Sequence, residues 1–271
     1  MRPSRRMASS VRSIFCPRAR PVRPCGRPRV AVVAVALLTL SALPVHAATF
    51  TPPEGCKLEI TVQNRGCTVS QYYRCDSDAA GDQRVTIFTT DGPVYQSRID
   101  KETRWMESAN LVNGLTDVLE PEAKDHASFS TLEKTGRDDF DFWTLSNDGQ
   151  RLHHVGHDEL PGEKVTIDGV PLEVTRFELT TYSEAGDVLI QRKGQQFISR
   201  AHGRFYGGIE TSTDWTGAVQ ESNDSPVTFS FPGQTGFGVT KPEYDCDLQM
   251  VGGQGASPIL RQLMSFKEAR I

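Results

Sequence analysis

Residues 56–75, CKLEITVQNRGCTVSQYYRC, are the stretch that decides the fold. Two runs, 57–64 and 67–74, alternate apolar and polar residues and flank Asn64-Arg65-Gly66, a turn signal between antiparallel strands. If Leu58, Ile60 and Val62 share a face with Val69 and Tyr73, paired residue numbers add up to 131, and Cys56 stands opposite Cys75. Directly opposed residues on neighbouring strands lie near disulfide reach. Of six cysteines, four follow residue 47: Cys56, Cys67, Cys75 and Cys246. Four cysteines allow three connectivities, and the hairpin register ranks Cys56–Cys75 with Cys67–Cys246 first. No CxxC or Cys/His finger spacing offers zinc or thiol redox chemistry, so these cysteines read as structural.

The period of two continues along the chain. Val85 and Ile87 alternate with polar neighbours, as do Tyr95, Ser97 and Ile99, then Phe140 and Phe142, then Val227, Phe229 and Phe231. Such alternation marks a sheet with one buried and one wet face. Asp91-Gly92-Pro93, Asn147-Asp148-Gly149, Asp168-Gly169 and Glu184-Ala185-Gly186-Asp187 separate the runs as turns, so sequential antiparallel neighbours are the simplest topology. Around Leu172, Val174, Phe177 and Leu179 the apolar phase slips by one residue, which predicts a bulge bending a long strand. Residues 111–119 suit a short turn or strand. The expected fold is mainly β: a single curved antiparallel sheet, half-barrel or sandwich, with a short C-terminal helix.

Charge divides the chain. Residues 1–29 hold nine arginines, and no acid precedes Glu54. Residues 30–43 are uncharged, and Val45-His46-Ala47 precedes Ala48 with the small residues that signal peptidase requires. Residues 1–47 therefore read as a leader of the ordinary Sec type, its apolar run too short for a membrane-spanning helix. Without it, 21 basic residues face 34 acidic ones, a net charge of −13. Such a surface disfavours nucleic acid and anionic lipid headgroups. Residues 48–251 are the β domain, exported to the periplasm or beyond, with no transmembrane anchor once the leader is removed. Residues 252–271 are a Gly-rich linker and a helix over 258–267, where Ser257 can cap and Ile259, Leu260, Leu263, Met264 and Phe266 form an apolar stripe.

Catalytic signals are sparse. His153, His154 and His157 with Asp158 and Glu159 form the densest group of metal-ligating residue types. On a strand, His153 and His154 point to opposite faces, which leaves His153, His157 and Asp158 as the candidates for a metal. Asp138, Asp139 and Asp141 near Asn147-Asp148-Gly149 lack EF-hand spacing, and alternation puts Phe140 and Phe142 inward with the carboxylates outward. Lys134-Thr135-Gly136 matches one element of serine penicillin-recognising enzymes, but no Ser stands three residues before a lysine, so the tripeptide reads as a turn. The G-x-S-x-G, HExxH and P-loop patterns are absent. No catalytic residue and no cofactor is indicated. Trp105, Trp143, Phe205, Tyr206 and Trp215 could line a concave ligand face or fill a core.

Asp168-Gly169-Val170-Pro171-Leu172 through Tyr182, followed by strand-like runs at 188–199 and 205–213, resembles the periplasmic lipoprotein-carrier half-barrels in strand pattern. That resemblance implies an incomplete barrel whose concave face holds acyl chains, and it transfers no individual residue. The expected function is a non-enzymatic module binding an apolar or lipid-like ligand in the cell envelope. The alternatives are an envelope protein–protein interaction module, using a sheet edge or the terminal helix, and a hydrolase with a carboxylate or metal site.

Overall fold

A computed structural model describes residues 49–247. The leader expected over residues 1–47 and the helix expected over 258–267 lie outside the described residues. The elements are β1 (Cys56–Asn64), β2 (Thr68–Cys75), β3 (Gln83–Thr89), β4 (Gly92–Ile99), β5 (Trp105–Asn110), β6 (Thr116–Leu119), α1 (Phe129–Thr135), β7 (Arg137–Ser146), β8 (Arg151–Glu159), β9 (Lys164–Ile167), β10 (Val170–Ser183), β11 (Val188–Ser199), β12 (Arg204–Asp214), β13 (Val219–Asn223) and β14 (Pro226–Ser230). All strands belong to one antiparallel sheet, ordered β13-β12-β11-β10-β8-β7-β6-β5-β4-β3-β2-β1-β14, with β9 paired to β10 alone.

Contacts between distant strands show how far the sheet rolls. Tyr72 on β2 packs edge-to-face on Tyr206 of β12, ring centroids 5.5 Å apart. Arg204, also on β12, lies 3.6 Å over the Tyr72 ring and donates to Gln83 Oε1 of β3 at 3.1 Å. Nine steps of the strand order separate β12 from β2. In a flat sheet with strands ~4.8 Å apart that would be about 40 Å. The sheet therefore curls until its two halves touch, yet the ladder stays open, with β13 and β14 as its edges. The chain itself crosses the seam at Asp224 and Ser225, where Asp224 N–H donates to Gly208 O (2.7 Å) and Arg65 N–H to Ser225 O (2.9 Å). Ile60, Val62, Tyr72, Val85, Phe197 and Tyr206 form a buried cluster drawn from both halves. Removing each such side chain from water contributes about 1.5–3 kcal/mol. A second cluster, Phe140, Phe142, Phe177 and Leu179, sits where β7, β8 and β10 adjoin. Gly156 of β8 and Gly194 of β11 are glycines for a steric reason: a Cβ on Gly156 would collide with Glu178 O, and one on Gly194 with Ile209 O.

The β1–β2 register departs from the expected one. Pairing runs from Cys56↔Cys75 to Leu58↔Tyr73, and an irregularity then sets Ile60 opposite Tyr72 and Val62 opposite Ser70. The expectation assumed one apolar face, whereas both faces of this hairpin are buried. Phe50 packs on Tyr73 and Phe88 at 5.6 and 5.7 Å, and Gln71 Nε2 donates to Val239 O at 2.7 Å. Gly238 N–H donates to Thr61 Oγ1 at 2.8 Å. Segments before β1 and after β14 thus form a second layer over the hairpin.

Three more local expectations are corrected. β10 holds register with β11 from Glu173 to Thr181, and the irregularities fall instead at Thr181/Tyr182 and between Gln195 and Phe197 in the β11–β12 ladder. The slip of apolar phase in β10 reflects two packing partners: Val170, Leu172 and Val174 join the first cluster, Phe177 and Leu179 the second. Lys134-Thr135-Gly136 is the end of α1, not a free turn. Ser128 Oγ caps the helix start by accepting from Thr131 N–H (3.2 Å), and Gly136 ends it at φ 81° with its N–H on Leu132 O. Asp138 is buried in phase with Phe140 and Phe142, because alternation sends every second residue inward, the aspartate included.

The disulfides are Cys56–Cys75 and Cys67–Cys246, with sequence separations of 19 and 179. The second ties the outer layer to the β1–β2 turn. Loop-closure entropy makes the longer loop the more stabilising crosslink, ~5 against ~3 kcal/mol. Urea unfolding of Cys67→Ser/Cys246→Ser is expected to show the larger loss of stability, and Cys56→Ser/Cys75→Ser the smaller; the reverse order would contradict this assignment.

Candidate functional site

The concave face is lined by alternate residues of the rolled strands and encloses adjoining cavities. One, of about 330 Å3, has a polar wall that includes Tyr95, Asn110, Asp117, Thr144, His154 and Arg192. The next, of about 260 Å3, is walled by Tyr72, Phe140, Phe142, Phe177, Leu179 and Tyr206, with Asp158 and Gln196 among its polar groups. Ile87, Ser97, Ile99, Trp105 and Arg192 line both, so the two lobes share a neck. Period-two alternation explains the mixture: β11 presents Ile190, Arg192 and Gly194 to one face in turn, placing a cation at a core position.

Hydrogen bonds hold the polar wall. His154 is buried with Nε2 3.0 Å from Thr144 Oγ1 and Nδ1 3.1 Å from Thr181 Oγ1. Its ring also packs against Phe142 and Trp105, at 5.1 and 5.8 Å. Ser146 donates a short hydrogen bond to Asp117. Burial pushes the Tyr95 phenol above its ordinary range, against the pull of hydrogen bonds to Ser108 and Ser97. Arg192 Nε lies 3.7 Å from Glu210 Oε1. Burial lowers the Arg192 guanidinium, and the Glu210 charge opposes that shift.

A carboxyl pair stands at the far side of the aromatic lobe. Asp138 on β7 is registered directly against Asp158 on β8. Burial pushes Asp158 up to about 7, with the Asp138 charge adding to the rise. Burial likewise raises Asp138 to about 6, although Ser128 N–H donates to its Oδ2 at 2.8 Å. Near neutral pH the two can hold one proton between them.

Residues singled out by sequence fall in several places. Trp105, Phe205 and Tyr206 line the aromatic lobe, Tyr206 being 2% exposed and part of the first cluster. Trp143 is on the convex face, stacked on His153 (4.4 Å, 5° between planes) and covered by Arg151 at 4.6 Å. Trp215 is 58% exposed in the β12–β13 hairpin. His153 binds Asp141 (2.6 Å), which also accepts from Lys124 (2.9 Å). His153 and His157 share the convex side by alternation, while Asp158 and His154 point into the cavities. Among the described residues no group of three or more His, Cys, Asp or Glu is placed to hold a metal ion. Sequence reasoning did not single out Tyr95, Asp117, Arg192 or Glu210 as site residues. Their signal is a polar or charged residue in the apolar phase of a strand.

No protein-family model, curated protein or solved structure matches the chain.

The raised carboxyls give a pH signature. The fold holds protons on Asp138 and Asp158 that the unfolded chain, ionising near 4, has already released. At these two sites the folded protein binds more protons than the unfolded chain between about pH 4 and 7, and their contribution to stability falls as pH rises through that window. Asp158→Asn is expected to flatten the decline by on the order of 3 kcal/mol in urea titrations at pH 5 and 8. An unchanged slope would place the shifted groups elsewhere.

Proposed function

We propose that this protein is an exported, non-enzymatic binding module that carries an amphipathic, lipid-like small molecule inside its rolled sheet. The observation behind this reading is the pair of lobes sharing one neck, an aromatic one able to bury a hydrocarbon and a polar one able to orient a head group. Burial of apolar area drives such binding, and a few placed polar groups choose the orientation. The interleaved Arg192, Glu210, His154 and Asp117 argue for a ligand with a polar end over a wholly apolar one, since burying these groups against hydrocarbon alone is costly. Two disulfides suit an oxidising compartment, and no helix among the described residues is long and apolar enough to cross a membrane.

A second reading, docking to an envelope partner, is favoured by one feature. The β5–β6, β10–β11 and β12–β13 turns leave the same end of an antiparallel meander and bear exposed Leu111, Val112, Val188, Trp215 and Val219.

Titration with the neutral solvatochromic dye Nile red tests the cavity reading. One equivalent is expected to bind with a blue-shifted emission, and Ile99→Trp, which fills the neck, is expected to weaken binding at least tenfold. Absence of saturable binding, or full binding by the filled variant, would remove this reading and favour docking at the exposed rim.

A further inference from the structure

We propose that a small cavity at the seam of the sheet seats the ammonium group of an amphipathic amine, between the carboxylates of Asp224 and Glu210. This deepens the cavity reading, on which it rests, by naming the ligand's head group.

The seam cavity is about 180 Å3, and Asn64, Ser70, Gln196 and Ser222 contribute polar side chains to its wall. Among the described residues that line it, Glu210 and Asp224 are the charged ones, with no Lys, Arg or His. Asp224 Oδ1 is shut off from solvent and accepts no hydrogen bond, while the side chain bonds to Ser222. A buried carboxylate oxygen without a donor from the protein is uncommon in a folded chain. Burial and the neighbouring Glu210 charge both raise the Asp224 carboxyl, to about 7, as expected of two acids facing one space. Arg192 Nε lies 3.7 Å from Glu210 Oε1, and among the described residues no cation lines the seam cavity beside Asp224.

An ammonium group fits this deficit in charge and in hydrogen bonding. It is a compact cation with three donors, to be shared among Asp224 Oδ1, Glu210 and a neighbouring side-chain oxygen. A divalent metal suits the place less well, because no third His, Cys, Asp or Glu completes a ligand set among the described residues. The hydrocarbon has a continuous path: Tyr72, Ile87, Phe177, Gln196 and Glu210 line both the seam cavity and the aromatic lobe. With the head at Asp224, the tail lies on Phe177 toward Phe140 and Phe142.

Calorimetric titration of the exported chain at pH 8 with octylamine, 1-octanol and octanoate tests the proposal, since the three share a tail and differ in head charge. Octylamine is expected to bind at least tenfold more tightly than octanol, and octanoate most weakly. Asp224→Asn, near-isosteric and free of the buried charge, is expected to bring octylamine to the level of octanol and leave octanol unchanged. Asp187→Asn, an exposed hairpin acid, is expected to keep the amine's advantage, which separates the site from general attraction by an acidic surface. Equal binding of amine and alcohol by the unsubstituted protein, or a preference that survives Asp224→Asn, would overturn the ammonium site while leaving the cavity reading in place. Failure of all three to bind would overturn both.

Discussion

The fold hangs on the contact that Arg204 makes across the seam. Its guanidinium lies over Tyr72, sits 5.7 Å from the Tyr206 ring and reaches Gln83, joining β12 to β2 and β3. A sheet of this width has one face that must leave water, and no second sheet among the described residues covers it. Rolling the sheet onto itself is the remaining solution, and it succeeds only if the two halves meet. The buried cation is tolerated because two aromatic faces and an amide oxygen replace its water. Burial still lowers its pKa, so the seam carries a cost that the surrounding apolar packing offsets. The Cys67–Cys246 disulfide and the outer layer brace the same edge from the convex side.

Rolling also decides what the interior is like. A barrel-like curve of this many strands is too wide for side chains to fill, which leaves the connected cavities. Their walls inherit the alternation of each strand, so wherever a strand places a polar residue in phase, that residue faces the cavity. Arg192, Asp158 and Asp224 are held there against the loss of solvation, and burial accordingly pushes the two aspartates upward.

The strand pattern was legible because period two survives along most of the chain: Val85 and Ile87, or Phe140 and Phe142, announce their face directly. Cys56 opposite Cys75 followed from the same arithmetic. The register beyond Leu58 was hidden because Gln63, Gln71 and Thr61 are buried polar residues satisfied by a segment more than a hundred residues away, which no local pattern encodes. Helix α1 left a signal in Ser128, the Phe129–Leu132 spacing and Gly136, but seven residues are too few for periodicity to stand out. The polar site was the least legible part. Arg192 looks like any surface arginine until the roll of the sheet turns its face inward, and Asp224 acquires its partners only where β13 passes into β14 at the seam.

Native mass spectrometry of the protein isolated from its own host without detergent addresses the central claim most directly. A rolled sheet with a two-lobed interior predicts a discrete adduct of small mass, released on mild activation and absent from the Ile99→Trp variant. A homogeneous mass equal to that of the disulfide-bonded polypeptide alone, with no adduct on either protein, would contradict it.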